Sequence, residues 1–246
     1  MLRLHGVDVQ KDTVHKAARA SGLKSYVEQQ KPLLTGSQRQ RRLEFAEKYK
    51  NFDWRTVLFC DETTFHVMGH GGRRRFWAES RDQVPIRPRV KHPQKLHVWC
   101  GFAYNGKTEL FCFTGNMNAD FFLGILDKRL LKDAQAIFGN EPWTLLQDSD
   151  PKHTAKKVQR WLEENVDFIP PDDWPGNSPD INCIENLLST WKRRVYARNP
   201  RDLDELQLAM EREWKAIPAT QLHNLVDSMD DRLTAVCDNR GGSTDY

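Results

Sequence analysis

The apolar residues of this 246-residue chain recur with two different periods, which predicts a protein that combines strands with helices. Residues 56–60 and 143–147 are short continuous apolar runs, as expected of strands buried on both faces. Elsewhere apolar residues recur every three or four positions, which is typical of helices with one buried face. Such helices are predicted at residues 37–49, 119–138, 154–165, 184–197, 202–215 and 219–236.

The middle of the chain carries the pattern of a β-meander. Residues 96–102 and 109–113 are strand-like runs on either side of Asn105-Gly106, and both of these residues tolerate the positive φ of a tight hairpin turn. Shorter strand candidates are residues 65–68, 75–78 and 166–169. A meander followed by helix, strand, helix, strand and helix predicts an RNase H-like α/β fold, with a mixed sheet flanked by helices.

A short basic helix is predicted near the start of the chain, at residues 11–23. Asp12 or Thr13 could cap its first turn, and Gly22 could end it. One face is small and apolar and the other is basic, which suits the second helix of a helix-turn-helix. Any short amphipathic helix would give the same pattern.

Basic charge is concentrated in two segments, although the net charge of the whole chain is only +3. Residues 1–55 contain 12 Lys/Arg and 6 Asp/Glu, and residues 71–95 contain 8 Lys/Arg and 2 Asp/Glu. The rest of the chain is therefore acidic, which fits a polyanion-binding surface beside an acidic site. Ordinary solvated charge is the alternative for either segment alone. The candidates for contact with a nucleic-acid backbone are Lys11, Lys16, Arg19, Arg73, Arg74, Arg75, Lys91 and Lys95.

Cysteine usage and hydropathy indicate the cellular compartment in which the protein is expected. The five cysteines, an odd number without a Cys-x-x-Cys pair, indicate reduced thiols of an intracellular protein. No apolar run approaches the roughly 18 residues of a membrane span, so no membrane association is expected. The segment after Met1 has no apolar core, so no secretory signal is expected.

Carboxylates follow two of the predicted strands. Asp61 comes directly after the run at residues 56–60, so we expect it at the carboxyl end of that strand, with its neighbour Glu62 pointing to the opposite face. A turn residue that ends the strand is the structural alternative for Asp61.

Asp148 and Asp150 compete for the second position, because residues two apart share a face of a strand. Asp150 precedes Pro151, and Asp-Pro at a helix start is typical of an N-cap followed by the first helical residue. Asp148 is therefore the better ligand candidate. His153, one turn into the predicted helix, could approach this site or DNA, or could lie on the surface.

Glu185 lies in the first turn of the helix predicted at residues 184–197. Asn182-x-x-Glu185 also fits a capping box, in which the glutamate only bonds the N-cap amide. Together with Asp61 and Asp148, however, Glu185 would complete a set of oxygen ligands, which Mg²⁺ prefers. Two such ions about 3.5–4 Å apart can activate the nucleophile and stabilise the leaving oxygen of phosphodiester cleavage. Nucleic-acid strand cleavage and joining is therefore the leading hypothesis.

Three sequence blocks resemble the signature blocks of Tc/mariner-superfamily DDE transposases. They are Asp61-Glu62-Thr63, residues 147–154 (QDSDPKHT) and residues 174–186 (WPGNSPDINCIEN). The resemblance covers nearly the whole chain, including Gly241-Gly242-x-Thr244-x-Tyr246 at its end. It implies an RNase H-like catalytic domain with Asp61, Asp148 and Glu185 as catalytic residues and metal ligands. The implied cofactor is Mg²⁺, as two ions, for which Mn²⁺ would substitute.

The resemblance also implies an organisation and a set of partners. Residues 1–30 would be the remnant of a second helix-turn-helix DNA-binding unit, residues 31–53 a linker and helix, and residues 54–246 the catalytic domain. A homodimer in the nucleus would bind double-stranded DNA, both as the inverted terminal repeats of a transposon and as the target. The basic stretch at residues 71–95 lies where relatives carry a loop used in dimer and DNA contacts.

Two departures from the family pattern leave alternatives open. The interval between Asp148 and Glu185 holds 36 residues, slightly more than is usual in the Tc branch, and Asp150 would restore the usual spacing. The proline-rich loop at residues 170–173 could absorb the extra length. The helix-turn-helix region is also short, so a truncated or domesticated DNA-binding protein without catalytic activity is the alternative function. Another RNase H-like nuclease, acting on RNA–DNA hybrids, is a third.

Overall fold

The chain forms two compact units. The computed structural model describes residues 2–4, 7–9, 11–24, 31–67, 80, 83, 91 and 93–246. Contacts between residues divide the chain into Met1–Pro32 and Leu33–Tyr246. The boundaries predicted at residues 30 and 53 remain a prediction, and each unit is described by itself.

The described residues of the first unit form a small hairpin and one helix. Strands β1 (Leu2–Leu4) and β2 (Val7–Val9) pair antiparallel, and the sequence pattern gave no sign of them. Helix α1 spans Lys11–Ala20, which confirms the predicted helix. Gly22 adopts a φ of 77° and the N–H of Leu23 donates to the carbonyl of Ala18, which is a glycine-dependent helix end.

The second unit is built on a mixed six-stranded sheet. Its spatial order is β5-β4-β3-β7-β8, with β6 also paired to β4. β3 pairs antiparallel with β4 and parallel with β7, and β7 pairs parallel with β8. The strands are β3 (Val57–His66), β4 (Lys95–Ala103), β5 (Gly106–Lys107), β6 (Phe111–Phe113), β7 (Thr144–Leu146) and β8 (Asp167–Phe168).

Helices cover the sheet and extend beyond it. None of those described is long and apolar enough to cross a membrane. They are α2 (Gly36–Lys48), α3 (Ala119–Ile125), α4 (Leu131–Phe138), α5 (Lys156–Asn165), α6 (Cys183–Ala197), α7 (Leu203–Lys215), α8 (Ala219–Asp227) and α9 (Met229–Asp238).

The two faces of the sheet bury two separate apolar cores. Successive strand residues point to opposite faces, so Val57 and Phe59 of β3 join a core with Ile184 of α6. Leu58 belongs to the second core, with Phe122 of α3. A mixed sheet with helices on both faces confirms the predicted α/β, RNase H-like class.

The hairpin around Asn105 forms, but not by the predicted turn. Ala103 pairs with Gly106, so the two-residue loop is Tyr104-Asn105 and Gly106 already lies in β5. Neither Asn105 nor Gly106 is among the described residues with positive φ. The register is fixed by the strands that pack on the core rather than by a special turn conformation.

Three predicted elements differ in extent from those in the structure. The strand predicted at residues 65–68 is not separate, because β3 continues to His66. Residue 68 and the strand predicted at residues 75–78 lie outside the described residues. The helix at residues 119–138 is interrupted by a π-helical turn, Leu126–Leu130. The helix at residues 219–236 is two helices that meet at Ser228.

Gly101→Ala should lower the free energy of unfolding by about 1–3 kcal/mol, measured by urea denaturation. The added methyl would lie 2.6 Å from Sγ of Cys60 and 2.9 Å from the carbonyl oxygen of Phe59. The matched control is Gly124→Ala in α3, where nothing lies within 4 Å, and it should raise stability by about 0.5–1 kcal/mol. Equal stability of Gly101→Ala and the wild type would contradict the close approach of β4 to β3.

Candidate active site

Two neighbouring parallel strands place Asp61 and Asp148 at equivalent positions. The last register pair of β3 and β7 is Phe59 with Leu146, and each aspartate lies two residues beyond its member of that pair. Alternation puts both on the face of Phe59 and Leu146, which is the face covered by α6. Strand register therefore brings Asp61 and Asp148 to the same face of the sheet.

The predicted position of Asp61 at a strand end is wrong. β3 continues to His66, and Asp61 pairs with Cys100 of β4. Asp61 is nevertheless past the last residue that pairs with β7, so one side of β3 is open at this point. Pairing with β4 extends β3 to His66, and this could not be predicted from the apolar run of residues 56–60.

Glu185 completes the group from the first turn of α6. Asn182 caps this helix by accepting the N–H of Ile184 at 3.4 Å. The reciprocal bond of a capping box is not formed at this helix start, whereas it is formed at α2. Glu185 instead lines a pocket of about 430 Å³ together with Asp61 and Asp148. The other lining residues are Ser149, Asp150, Trp174, Gly176, Asn177, Ser178, Pro179 and Asn182.

Burial and mutual repulsion mark Asp61 as the central carboxylate. Burial first, and then the negative charges of Glu185, Asp148 and Glu62, raise the pKa of Asp61 from 3.8 to about 8. The N–H of Glu62 donates to Asp61 at 2.7 Å, which opposes the rise only in part. Glu185 is accessible to solvent, yet loss of hydration in the pocket and the charge of Asp148 raise its pKa, against the effect of Lys192.

His153 fixes Asp148 from the side of the sheet opposite α6. Its side chain is 1% exposed, with Nδ1 2.7 Å from Oδ1 of Asp148 and Nε2 3.0 Å from Oε1 of Glu62. Two carboxylate partners require both ring nitrogens to donate, so the imidazole carries a proton on each. Burial alone would lower the pKa of His153, but these hydrogen bonds outweigh it and raise the pKa to about 9. Hydrogen bonding to His153 also outweighs burial at Asp148, whose pKa is lowered.

The prediction that Asp150 caps a helix is wrong, because Asp150 lies in a turn that precedes α5. The side chain of Asp150 accepts the N–H of Lys152 at 3.0 Å and so stabilises a turn, whereas α5 begins later, at Lys156, with Ala155 as its N-cap residue. Nζ of Lys152 lies 2.9 Å from Asp150 and 3.0 Å from Glu62. Asp150 is thus already paired with a cation, although it lines the same pocket.

The three carboxylates Asp61, Asp148 and Glu185 are suitable ligands for a hard divalent cation, but their side chains are not yet arranged around one position. Carboxylate oxygens are the ligands that Mg²⁺ prefers, and burial together with the neighbouring negative charges raises the pKa of Asp61. Among the described residues, no three His, Cys, Asp or Glu side chains are already arranged to hold one ion. The three carboxylates therefore line one pocket, but they do not form a ready coordination site.

Neither Lys91 nor Lys95, both predicted to contact DNA, lines this pocket. Lys16 and Arg19 are exposed on α1, which also begins with Lys11. Lys91 is exposed, and Lys95 starts β4 opposite His66, about 17 Å along the ladder from the register of Asp61. The remaining three, Arg73, Arg74 and Arg75, lie outside the described residues.

Comparisons with known proteins agree with this architecture. A family model described as DDE superfamily endonuclease matches residues 56–207. A helix-turn-helix model described as Transposase matches residues 2–51. The Tcb1 transposase of Caenorhabditis briggsae is 29% identical over 243 residues, which are 95% of this chain and 87% of that protein. The Tc3 transposase of Caenorhabditis elegans is 30% identical over 219 residues, which are 87% of this chain and 65% of that protein.

Solved structures show the same fold at lower identity. The mariner Mos1 paired end complex with Mg matches with a TM-score of 0.83 at 16% identity, over 96% of this chain and 72% of that chain. The catalytic domain of Mos1 mariner transposase matches with a TM-score of 0.64 at 15% identity, over 88% of this chain and all of that chain.

The protein belongs to the DDE superfamily of endonucleases, because that family model covers more than half of the chain. Within it, the chain is homologous to the Tc transposases. The predicted family and the predicted enzyme class, a DDE transposase that cleaves and transfers DNA strands, are thereby confirmed. The helix-turn-helix match supports DNA as the partner.

Without added metal, the stability of the protein should fall as the pH rises from about 5 to about 9. Asp61 stays protonated in the folded state up to about pH 8, but the unfolded chain releases this proton near 3.8. Its contribution to stability is complete below the lower value and is lost as the pH rises through the higher one. Asp61→Asn keeps a neutral side chain, so thermal unfolding in a chelator should show a smaller fall. Asp127→Asn, at an exposed position, should keep the wild-type fall, and an unchanged pH dependence in Asp61→Asn would contradict the burial of this carboxyl group.

Proposed function

We propose that Asp61, Asp148 and Glu185 are the catalytic carboxylates with which this transposase cuts the ends of its element and joins the freed 3′ end to target DNA. One observation supports this most strongly. Two strands in matched register and the first turn of α6 present these three carboxylates to a single pocket. Burial raises the pKa of Asp61 most, and the negative charges of Glu185 and Asp148 raise it further, as expected of carboxylates that share one pocket.

Mg²⁺ is the proposed cofactor, as two ions, with Mn²⁺ as its substitute. Mos1 complexes with Mg and with Mn are among the solved structures of this fold. When bound, such ions activate the attacking oxygen and stabilise the leaving one. The chain itself would hold them through Asp61, Asp148 and Glu185. His153 restrains Asp148 through Nδ1, which leaves Oδ2 available as a ligand.

The substrate proposed is double-stranded DNA, as transposon ends and as target. The basic residues Lys11, Lys16 and Arg19 on α1, with Lys91 and Lys95 in the second unit, would hold phosphates without reading sequence. Arg73, Arg74 and Arg75 are proposed for the same role from sequence alone.

A homodimer is proposed as the working assembly, and the nucleus as its location. The Mos1 structures that share the fold include a paired-end complex with left transposon end, and pairing two ends requires two catalytic centres. Nuclear location is proposed because the substrate is chromosomal DNA. Sedimentation of the protein with and without end DNA tests the dimer directly.

Asp148→Ala should reduce metal-dependent nicking of DNA that carries the element's ends by about 10³-fold or more, because it removes transition-state charge stabilisation worth several kcal/mol. Asp150→Ala is the matched variant, two residues away and facing the same pocket. It should keep most of the activity, since the Asp150 carboxylate already pairs with Nζ of Lys152 and accepts the N–H of Lys152 in a turn. Single-turnover nicking in Mg²⁺ and in Mn²⁺ measures both.

The reverse ranking of the two variants would reassign the second ligand to Asp150. Wild-type protein that shifts inverted-repeat DNA in a gel, yet nicks it at no metal concentration, would favour a DNA-binding protein without catalysis. Cleavage of RNA–DNA hybrids without strand transfer would instead favour a nuclease of the same fold.

Replacing Lys16 and Arg19 together by Ala should weaken binding to end DNA and flatten its salt dependence. Each lost phosphate contact reduces the slope of log K against log salt by about 0.9, so the double variant should lose up to about 1.8. Lys128 and Lys132, also exposed, form the control pair. A slope unchanged by the α1 double variant would remove these residues from the DNA contact set.

A further inference from the structure

A buried ionic cluster lies behind the wall of the catalytic pocket. The side chain of Arg42 in α2 is fully buried, and its Nη1 and Nη2 donate to Oδ1 and Oδ2 of Asp180, each at 2.7 Å. This is a two-bonded arginine–carboxylate pair, which is geometrically specific and strong. The side chain of Asp180 is 11% exposed, so the pair is largely removed from solvent.

The end of the chain completes the cluster. Nε and Nη2 of Arg42 donate to the carbonyls of Gly241 and Gly242, both at 3.0 Å. The N–H and the hydroxyl of Thr244 donate to Oδ2 of Asp180 at 2.8 and 3.0 Å. We name these residues, Arg42, Asp180, Gly241, Gly242 and Thr244, the Asp180 cluster.

Only glycine fits where the end of the chain passes α2. Gly241 has a φ of 76°, and a Cβ there would lie 2.1 Å from the carbonyl oxygen of Arg39. The close approach lets the next carbonyl groups reach Arg42. The Gly-Gly-x-Thr pattern is thereby explained by packing against α2 rather than by flexibility.

The cluster is joined to the helix that carries Glu185. Asp180 lies between Pro179 and Asn182, which line the catalytic pocket, and Asn182 caps α6. A second buried arginine, Arg232, donates from Nη1 to the carbonyl of Asp180 at 2.7 Å and from Nη2 to Oδ1 of Asn186 at 2.9 Å. Asn186 is the neighbour of Glu185 on the helix.

We propose that Asp180 and Arg42 are positioning residues of the active site, which hold the start of α6 and therefore Glu185 in register with Asp61 and Asp148. The proposal rests on the proposed catalytic role of Glu185. Neither residue lines the pocket, so they act through the backbone of residues 178–186. The function of the Gly-Gly-x-Thr segment follows from the same contacts: it supplies donors and acceptors that complete the hydrogen bonding of the pair.

Position, rather than charge, is the reason to expect an effect on rate. A ligand on a strand is fixed by its ladder, whereas Glu185 depends on the placement of one helix start. A displacement of about 1 Å in a catalytic group can cost about 10²-fold in rate. Disruption of the Asp180 cluster should therefore slow the reaction more than it weakens DNA binding.

Asp180→Asn is the main test, because it preserves shape and removes the charge that Arg42 requires. We expect nicking of end DNA to slow by about 10- to 100-fold, with the DNA concentration at half-maximal rate changed by less than about twofold. Arg42→Lys should recover part of the rate that Arg42→Met loses, because it keeps the charge but not the two-bonded geometry.

Glu213→Gln in α7 provides a matched control, because Glu213 contacts the end of α6 that is remote from Glu185. Glu213 pairs with Arg198 just past α6, and its side chain is 10% exposed, close to the 11% of Asp180. This variant should lose stability as Asp180→Asn does, but keep the wild-type nicking rate. One milder variant, Thr244→Val, removes the hydroxyl that donates to Asp180 but leaves the ion pair intact. It keeps the test informative if Asp180→Asn does not fold.

Amide hydrogen exchange gives a readout that does not depend on activity. In folded cluster variants, exchange should speed up in residues 183–187 and stay at the wild-type rate in α7 and β4. This result would support positioning even if the wild type nicked no DNA, an outcome that would count against the proposed function instead. Folded cluster variants with wild-type rates of nicking and of exchange at residues 183–187 would overturn the proposal, as would faster exchange spread evenly over the chain.

Discussion

The placement of three mutually repelling carboxylates in one pocket is the constraint on which the rest of this structure depends. Burial raises the pKa of Asp61 most, and the negative charges of Glu185 and Asp148 raise it further. Burial and the charge of Asp148 also raise the pKa of Glu185. An unaided chain would relieve the repulsion by moving the side chains apart. Here the sheet prevents this for two of them, because Asp61 and Asp148 extend from strands that are already in register and buried in both cores.

Positive charge is distributed so that it supports the site without filling it. His153 pairs with Glu62 and Asp148, and Lys152 pairs with Glu62 and Asp150. Neither cation lines the pocket, which is lined by carboxylates. Arg42 and Arg232 lie further from the pocket and bind Asp180 rather than the three pocket carboxylates. A cationic side chain in the pocket itself would compete with the divalent ions proposed to bind there.

Much of the fold could be read from periodicity, since the long helices and the central strands are strongly patterned. Alternation along β3 also predicted that Asp61 and Glu62 point to opposite faces. In the structure Asp61 lines the pocket, whereas Glu62 contacts His153. The errors concern element ends. β3 extends beyond its apolar run because β4 pairs with it as far as His66, and Asp150 stabilises a turn because α5 starts only at Lys156. Both outcomes depend on neighbours that a local pattern does not contain.

The sequence by itself determined the class of fold and the three acidic blocks, because these depend on local spacing and hydrophobic alternation. Only the tertiary structure decided how the blocks are held. His153 meets Glu62 across 91 residues, and Arg42 meets Asp180 across 138. Each pair forms because burial makes an unpaired charge costly, and which partner is available is set by the packing of the sheet and helices rather than by proximity along the chain.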